Sequence, residues 1–234
     1  MNIKIRAYLS STDTYTSLKY VEGFRKVLES YGVTKVTSAT HDWVYDDNTY
    51  VIIVTSEDDE KIFGGCRVQV RNTSLPLPME EAIARVDPSI HAYMDSYGQN
   101  KIAEFSGLFN SIEVAGYGIG SMYLGRVGVA ICNQVGVDHL LGLCSPTTFR
   151  NCARVGFETL REIGNNGRFH YPKEGLIATS VIIRDIQGLP GAQPGEREKI
   201  YYLRDMPNHK ATDTGPKGDM NITYITKIES IKAC

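Results

Sequence analysis

The chain has 234 residues, 42% of them hydrophobic and 22% charged, which is enough to fill one large domain or two small ones. Its 25 basic and 27 acidic side chains give a formal net charge of -2, which argues against a chain-wide nucleic-acid surface. No apolar run approaches the roughly 20 residues of a membrane span, and the first residues lack the apolar core of a signal peptide. We therefore expect a cytoplasmic protein that forms one domain over residues 1–234, with no membrane span and no nucleic-acid partner.

The N-terminal part predicts a strand followed by an amphipathic helix. Apolar and polar residues alternate from Ile3 to Leu9, which is typical of a strand with one buried face. Thr12 or Asp13 can cap a helix that runs from about Tyr15 to Tyr31. Its predicted apolar stripe contains Leu18, Val21, Phe24, Val27 and Leu28.

An antiparallel hairpin is predicted next. The apolar runs Tyr50–Val54 and Ile62–Val70 are joined by a short acidic turn. Arg67 lies in the second run, where an unpaired guanidinium group is costly, so it needs a carboxylate or a substrate as partner. Either Asp46 or Asp47 pairs with it structurally, or Arg67 and Asp46 bind substrate.

The stretch Lys101–Phe157 predicts a strand, a glycine-rich loop, a helix, a second strand and a second helix. Glycines at positions 116, 118 and 120 let the backbone curl so that several N–H groups point one way, as in phosphate-binding loops. A tight turn accounts for the glycines equally well, because their spacing differs from the GxGxxG dinucleotide fingerprint. The candidate cofactor-binding residues are Gly116, Tyr117, Gly118, Ile119, Gly120 and Ser121.

Two more strands are predicted beyond this unit, Leu176–Arg184 and Lys199–Arg204, as an antiparallel pair. Ile222–Ile231 adds a last strand. The polar segment Asp205–Met220 is predicted to be a flexible loop, which either covers a substrate or is disordered. Five cysteines without a CxxC pair and five histidines without HxxxH or HxH spacing predict no disulfide framework and no metal site.

The order of elements in the central stretch resembles the GNAT superfamily of N-acyltransferases. The second helix ends in the Gly-Phe pair at 156 and 157, and the loop matches [Q/R]xxGx[G/A] from Glu113 to Gly118, with Glu at its first position. A register through Gly120 fits as well. The resemblance implies an α/β fold with a mixed, mostly antiparallel central sheet flanked by helices on both faces. It also implies that the loop amides bind an acyl-CoA or another phosphopantetheine-linked acyl donor.

A narrower resemblance links the chain to acyl-homoserine-lactone (autoinducer) synthases and N-acyl amino acid synthases. It rests on Asp46 and Asp47 before a Tyr-containing strand, Gly65-Cys66-Arg67, the segment Pro76–Met79, and Glu104-x-Ser106. The chain departs from the lactone synthases at Gly107, where they carry Arg. It also has Cys152 at the position, four residues before Gly156, where many acetyltransferases carry a proton-donating Tyr.

Transfer of an acyl group to an amine needs a group that removes a proton from the amine. Glu104 is the candidate base, and pairing with a Lys or Arg is the alternative. Ser106 lies on the same face of the strand and can hydrogen-bond donor or acceptor. The residues predicted to line an acyl tail are Phe105, Leu108, Leu141, Leu143, Phe149 and Val155, of which Phe105, Leu143 and Phe149 are the candidate substrate contacts.

The resulting hypothesis is an N-acyltransferase that moves an acyl group, longer than acetyl, from acyl-CoA or acyl carrier protein to an amine such as an amino acid. Two alternatives stay open. One is a non-catalytic ligand-binding or regulatory protein with this fold, and the other is an ordinary acetyl-CoA-dependent acetyltransferase. Acyl carrier protein is a candidate partner, and a homodimer is one option for the oligomeric state.

Overall fold

The computed structural model describes residues 1–33, 36–172, 174–215 and 217–229. The strands are β1 (Asn2–Leu9), β2 (Thr49–Ser56), β3 (Ile62–Val70), β4 (Ile102–Asn110), β5 (His139–Cys144), β6 (Glu158–Thr159), β7 (Arg168–His170), β8 (Ile177–Ile183), β9 (Asn208–Gly215) and β10 (Gly218–Ile225). The α-helices are α1 (Thr14–Ser30), α2 (Pro78–Ala84), α3 (Ile90–Asp95), α4 (Leu124–Gln134), α5 (Pro146–Arg154) and α6 (Pro194–Asp205).

All ten strands belong to one sheet, in the order β6-β8-β5-β4-β3-β2-β1-β10-β9, with β7 also paired to β8. The β1–β10 and β4–β5 pairs are parallel, and the other pairs are antiparallel. One face packs on α4, α5 and α6, and the other packs on α1, α2 and α3. The predicted fold class is therefore confirmed. Within the described ranges, no helix is long and apolar enough to cross a bilayer.

The first helix begins where the sequence indicates, because the Asp13 side chain accepts a hydrogen bond from the Thr16 N–H at 3.1 Å. Its buried face differs from the predicted stripe. Leu18 is 41% exposed, whereas Tyr20 is completely buried in a cluster with Phe24 and Trp43. The buried face of the helix thus contains Tyr20, an amphipathic aromatic residue, and not the aliphatic Leu18.

Two predictions about the C-terminal third are wrong. The predicted strand at Lys199–Arg204 is part of helix α6, in which Pro194 occupies the first turn and Ile200 and Leu203 pack against the α4 side of the core. The predicted loop at Asp205–Met220 contains strand β9, whose residues alternate between exposed and half-buried because β9 lies at the sheet edge and pairs only with β10. The last strand, β10, ends earlier than predicted, and Ile231 lies outside the described residues.

Helices α2 and α3 occupy a region for which the sequence predicted no elements. Helix α2 begins at Pro78, and the Glu80 side chain accepts a hydrogen bond from the Leu77 N–H at 3.0 Å. Arg71 holds the same carboxylate through a hydrogen bond of 3.1 Å from its Nε. This pair fixes the N-terminus of α2 against the middle of the sheet.

Candidate active site

The central feature of the site is a gap between the parallel strands β4 and β5. Their pairing extends only from Ile102–His139 to Glu104–Leu141, although β4 continues to Asn110. Beyond Glu104, the edge of β4 that faces β5 pairs with no strand of the described residues. Unpaired backbone N–H and C=O groups along such an edge can bind an extended ligand in the manner of an added strand.

Glu104 is the last residue of β4 before the gap. It is 2% exposed, and its Oε2 accepts a hydrogen bond of 2.7 Å from the backbone N–H of Met79 on α2. Burial raises the pKa of Glu104 to about 8, although the Met79 N–H and the nearby Arg67 guanidinium group oppose this shift. Among the described residues, Glu104 has no ion-pair partner, so the alternative of a paired strand-end carboxylate is not observed.

Arg67 lies on the same face, one strand away. Its Cζ is 4.5 Å from the centroid of the Trp43 ring, and its Nη1 donates to the carbonyl oxygen of Ser38 at 2.8 Å. Its Nε is buried and has no hydrogen-bond partner among the residues that the structure describes. In the described part of the chain, neither Asp46 nor Asp47 pairs with it. Asp46 instead accepts from neighbouring Asn and Thr side chains, including Thr49.

Ser106 is directly opposite Arg67 in the β3–β4 ladder. It is 9% exposed, and its Oγ is also buried, with no hydrogen-bond partner in the described ranges. Buried polar atoms are nearly always paired in native proteins, so two neighbouring residues with unpaired atoms indicate a place where a ligand supplies the missing partner. Glu104, Ser106 and Arg67 thus form one polar patch on the sheet. Of these, Glu104 and Ser106 were predicted from the sequence to share a strand face.

Gly107 follows immediately and has a specific structural reason to be glycine. Between the pairs Arg67–Ser106 and Gly65–Phe109, β4 contains one residue more than β3, and Gly107 takes φ +64° in this bulge. A methyl group at Gly107 would lie 2.1 Å from the Tyr20 Oη, which donates to the Gly107 carbonyl oxygen at 2.7 Å. The arginine of the lactone synthases therefore cannot occupy this position without displacing Tyr20.

The glycine-rich loop connects the end of β4 to α4. Gly116 and Gly118 have φ of +89° and +85°, and a helical turn begins at Ile119 and continues into α4. Within the described residues, the N–H groups of positions 118–121 donate to no backbone carbonyl or side chain. Gly120 lies inside this first turn. Glu113 precedes the loop and faces Lys61 at 3.5 Å.

The apolar candidates divide between the two faces of the sheet. Phe105 and Phe149 belong to the α4 side, where the Phe105 ring lies 6.3 Å from that of Phe157 and packs closely over Gly128. Leu143 belongs to the opposite side, with α2 and α3. The remaining predicted tail residues are Leu108 and Val155 on the α4 side and Leu141 on the α2 side.

Three residues in this region were not predicted from the sequence to take part in the site. Trp43 covers Arg67, Ser38 binds it, and the Met79 amide holds Glu104. The single tryptophan and the proline before Met79 can be recognised in the sequence. Their roles cannot, because each of these three contacts joins residues that are 24 or more positions apart. Cys152, at the position of the acetyltransferase Tyr, is buried on α5.

No family model and no curated protein matches the chain. Solved structures do. FeeM, an N-acyl amino acid synthase from uncultured soil microbes, matches with TM-score 0.61 and 13% identity over 84% of this chain and 97% of its own. BjaI, a CoA-dependent acyl-homoserine lactone synthase with SAM and isopentyl-CoA, matches with TM-score 0.53 and 15% identity over 88% and 90%.

A mosquito arylalkylamine N-acetyltransferase, like 5b, matches with TM-score 0.50 and 14% identity over 77% of this chain and 98% of its own. Identities this low establish the fold and leave the activity to be argued from the site. The expectation drawn from the loop, the Gly-Phe pair and the hairpin is confirmed at that level: the chain has the fold of the GNAT superfamily and its acyl amino acid and acyl-homoserine-lactone synthase relatives.

Proposed function

We propose that the protein is an N-acyltransferase that moves an acyl group from a coenzyme A or acyl-carrier-protein thioester to an amine. The observation that carries this proposal is the position of Glu104, a buried carboxyl group with a pKa of about 8, where β4 and β5 separate. A general base near the working pH is poised to take a proton from an amine. Two proteins of the same fold support it: FeeM is an N-acyl amino acid synthase, and BjaI is a CoA-dependent acyl-homoserine lactone synthase.

The proposed reaction follows from the arrangement of the site. Free amides at 118–121 bind donor phosphate, and the unpaired edge of β4 holds the extended pantetheine arm. Glu104 removes a proton from the acceptor, whose nitrogen attacks the thioester carbonyl carbon. The C–N bond forms, the C–S bond breaks, and the thiol leaves after taking a proton from solvent.

The acceptor is proposed to carry a carboxylate beside its amine, as an amino acid does. Arg67 Nε and Ser106 Oγ are buried and lack hydrogen-bond partners in the described part of the chain, and the two residues lie opposite each other on the same face as Glu104. A guanidinium group in such a setting favours an anionic partner, because charge-assisted hydrogen bonds are about twice as strong as neutral ones.

A mass-spectrometric screen tests both statements. Acyl-CoA and acyl-carrier-protein donors are incubated with pooled amino acids and, separately, with the corresponding amino acid amides, which keep the amine and lack the carboxylate. We expect N-acyl amino acids, with kcat/KM at least about 10-fold higher for acids than for amides. Equal use of the amides would contradict the role of Arg67, and donor binding without any transfer would support the ligand-binding alternative.

Acyl length is the finer part of the proposal. Leu143 follows the last β4–β5 pair, is half-buried, and borders the α2 side of the gap. Each buried methylene contributes about 0.8 kcal/mol, so a tail accommodated here favours medium or long donors over acetyl. We expect decanoyl-CoA to be preferred over acetyl-CoA, and Leu143→Trp to shorten the preferred chain. Leu18→Trp, at an exposed site on α1, is the control, and equal turnover of acetyl-CoA by the wild type would contradict the prediction.

A further inference from the structure

The C-terminal hairpin of β9 and β10 reaches back to the glycine-rich loop. A methyl group placed on Gly215, at the end of β9, would lie 2.9 Å from the carbonyl oxygen of Tyr117 in the loop. The two backbones are therefore packed directly against each other, although about 100 positions separate them in the sequence. The hairpin therefore borders the loop at Gly116 and Tyr117, immediately before the free amides at 118–121.

Lys217 extends from this hairpin across the loop. A methyl group on Gly116 would lie 2.9 Å from its Cε, 3.1 Å from its Cδ and 3.2 Å from its Cγ, so the aliphatic stem lies along the Gly116 backbone. The Lys217 ammonium group is one C–N bond beyond Cε. The positive φ at Gly116 favours glycine, and the Lys217 stem occupies the space that a side chain at this position would take.

The charge of Lys217 is not used within the described part of the chain. Two other lysines of this region are paired: Lys61 lies 3.5 Å from Glu113, and Lys199 lies 3.7 Å from Asp213. Lys217 has no carboxylate within 4.0 Å among the described residues. An exposed ammonium group beside a row of free backbone N–H groups forms a site for a multiply charged anion.

We infer that Lys217 binds the pyrophosphate of a coenzyme A donor, and that the natural donor is a coenzyme A thioester rather than a carrier-protein thioester. This inference rests on the proposed function. A carrier-protein donor presents a single phosphodiester, whereas coenzyme A presents a pyrophosphate that the amides at 118–121 and Lys217 can hold from two sides. Lys217 is thus a specificity residue contributed by the C-terminal hairpin.

The test compares Lys217→Ala and Lys217→Arg with a control, Lys210→Ala, an exposed lysine on β9 whose ladder partner is Thr223, away from the loop. KM and kcat are measured with one acyl group on coenzyme A, dephospho-coenzyme A, phosphopantetheine, pantetheine and carrier protein. For Lys217→Ala we expect about a 10-fold higher KM with the two pyrophosphate donors and an unchanged kcat. The KM for the pantetheine and carrier-protein donors should change by less than about twofold. We expect Lys217→Arg to retain most of the affinity for the pyrophosphate donors, and Lys210→Ala to have the KM values of the wild type.

An equal rise in KM for all donors, or no rise for acyl-CoA, would overturn the inference. A lower wild-type KM for acyl carrier protein than for acyl-CoA would overturn it too. Calorimetry with free coenzyme A separates this inference from the proposed function. Tighter binding to the wild type than to Lys217→Ala supports the Lys217 contact even if no acyl transfer occurs, and equal affinities contradict it.

Discussion

Glu104→Gln is expected to lower kcat by about 10²- to 10³-fold and to leave donor affinity unchanged. The amide keeps an oxygen that can accept the 2.7 Å hydrogen bond from the Met79 N–H, so the shape of the site is retained. What is lost is the group that takes the proton from the attacking amine. Steady-state kinetics with acyl-CoA and a saturating amino acid, together with calorimetry of donor binding, measure the two effects separately.

The pH dependence supplies a second readout for Glu104. Its pKa is raised to about 8, so at pH 7 most molecules carry a protonated Glu104, which cannot act as a base. The rate of the wild type should therefore rise with pH through about 8, and this limb should be absent in Glu104→Gln. Deprotonation of the acceptor amine affects both proteins in the same way, so the difference between the profiles reports Glu104.

Glu81→Gln is the matched control, since Glu81 is an exposed carboxylate on α2 whose charge contributes to raising the pKa of Glu104. We expect it to change kcat by less than about threefold and to move the limb to lower pH. Parent activity in Glu104→Gln would show that another group or solvent removes the proton.

Gly107→Ala is expected to destabilise the protein by about 3 kcal/mol, which combines strain at positive φ with a clash in a packed core. The added methyl would lie 2.1 Å from the Tyr20 Oη, and Tyr20 is held by Trp43 and Phe109 at ring distances of 5.8 and 5.6 Å. For a chain of this size, the melting temperature should fall by roughly 6–12 °C. Differential scanning calorimetry measures the change.

Gly98→Ala separates the two contributions. Gly98 has φ +60°, close to that of Gly107, but a methyl group there would meet no atom within 4 Å. It should therefore cost only the backbone strain, about 1 kcal/mol. Adding Tyr20→Phe to Gly107→Ala removes the clashing oxygen, so the double variant should be more stable than the sum of the single effects predicts. Equal losses for Gly98→Ala and Gly107→Ala would show that Tyr20 moves aside without cost.

The elements that the sequence predicted correctly have patterns contained within one short segment. Alternation from Ile3 to Leu9, the hairpin at residues 50–70, and the glycines before α4 each reflect a local preference of the backbone or a single buried face. The segment Lys199–Arg204 resembles a strand in sequence because Ile200, Tyr201 and Tyr202 are consecutive residues of high β-propensity. Packing of Ile200 and Leu203 in the core on the α4 side overrides that preference.

The sequence alone predicted which residue types form the candidate site. It also predicted that Glu104 and Ser106 lie on the same face of one strand, because side chains alternate along a strand. It did not predict the properties that make Glu104 a base. Its pKa is raised by burial, to which the packing of α2 on the sheet contributes, and the shift is opposed by the Met79 amide, 25 positions away, and by Arg67 on the neighbouring strand. Likewise, Gly107 packs against a tyrosine 87 positions earlier, and Lys217 contacts the glycine-rich loop from the segment Asp205–Met220, which the sequence predicted to be a flexible loop. Contacts between distant segments set burial, and burial sets the electrostatics on which the proposed chemistry depends.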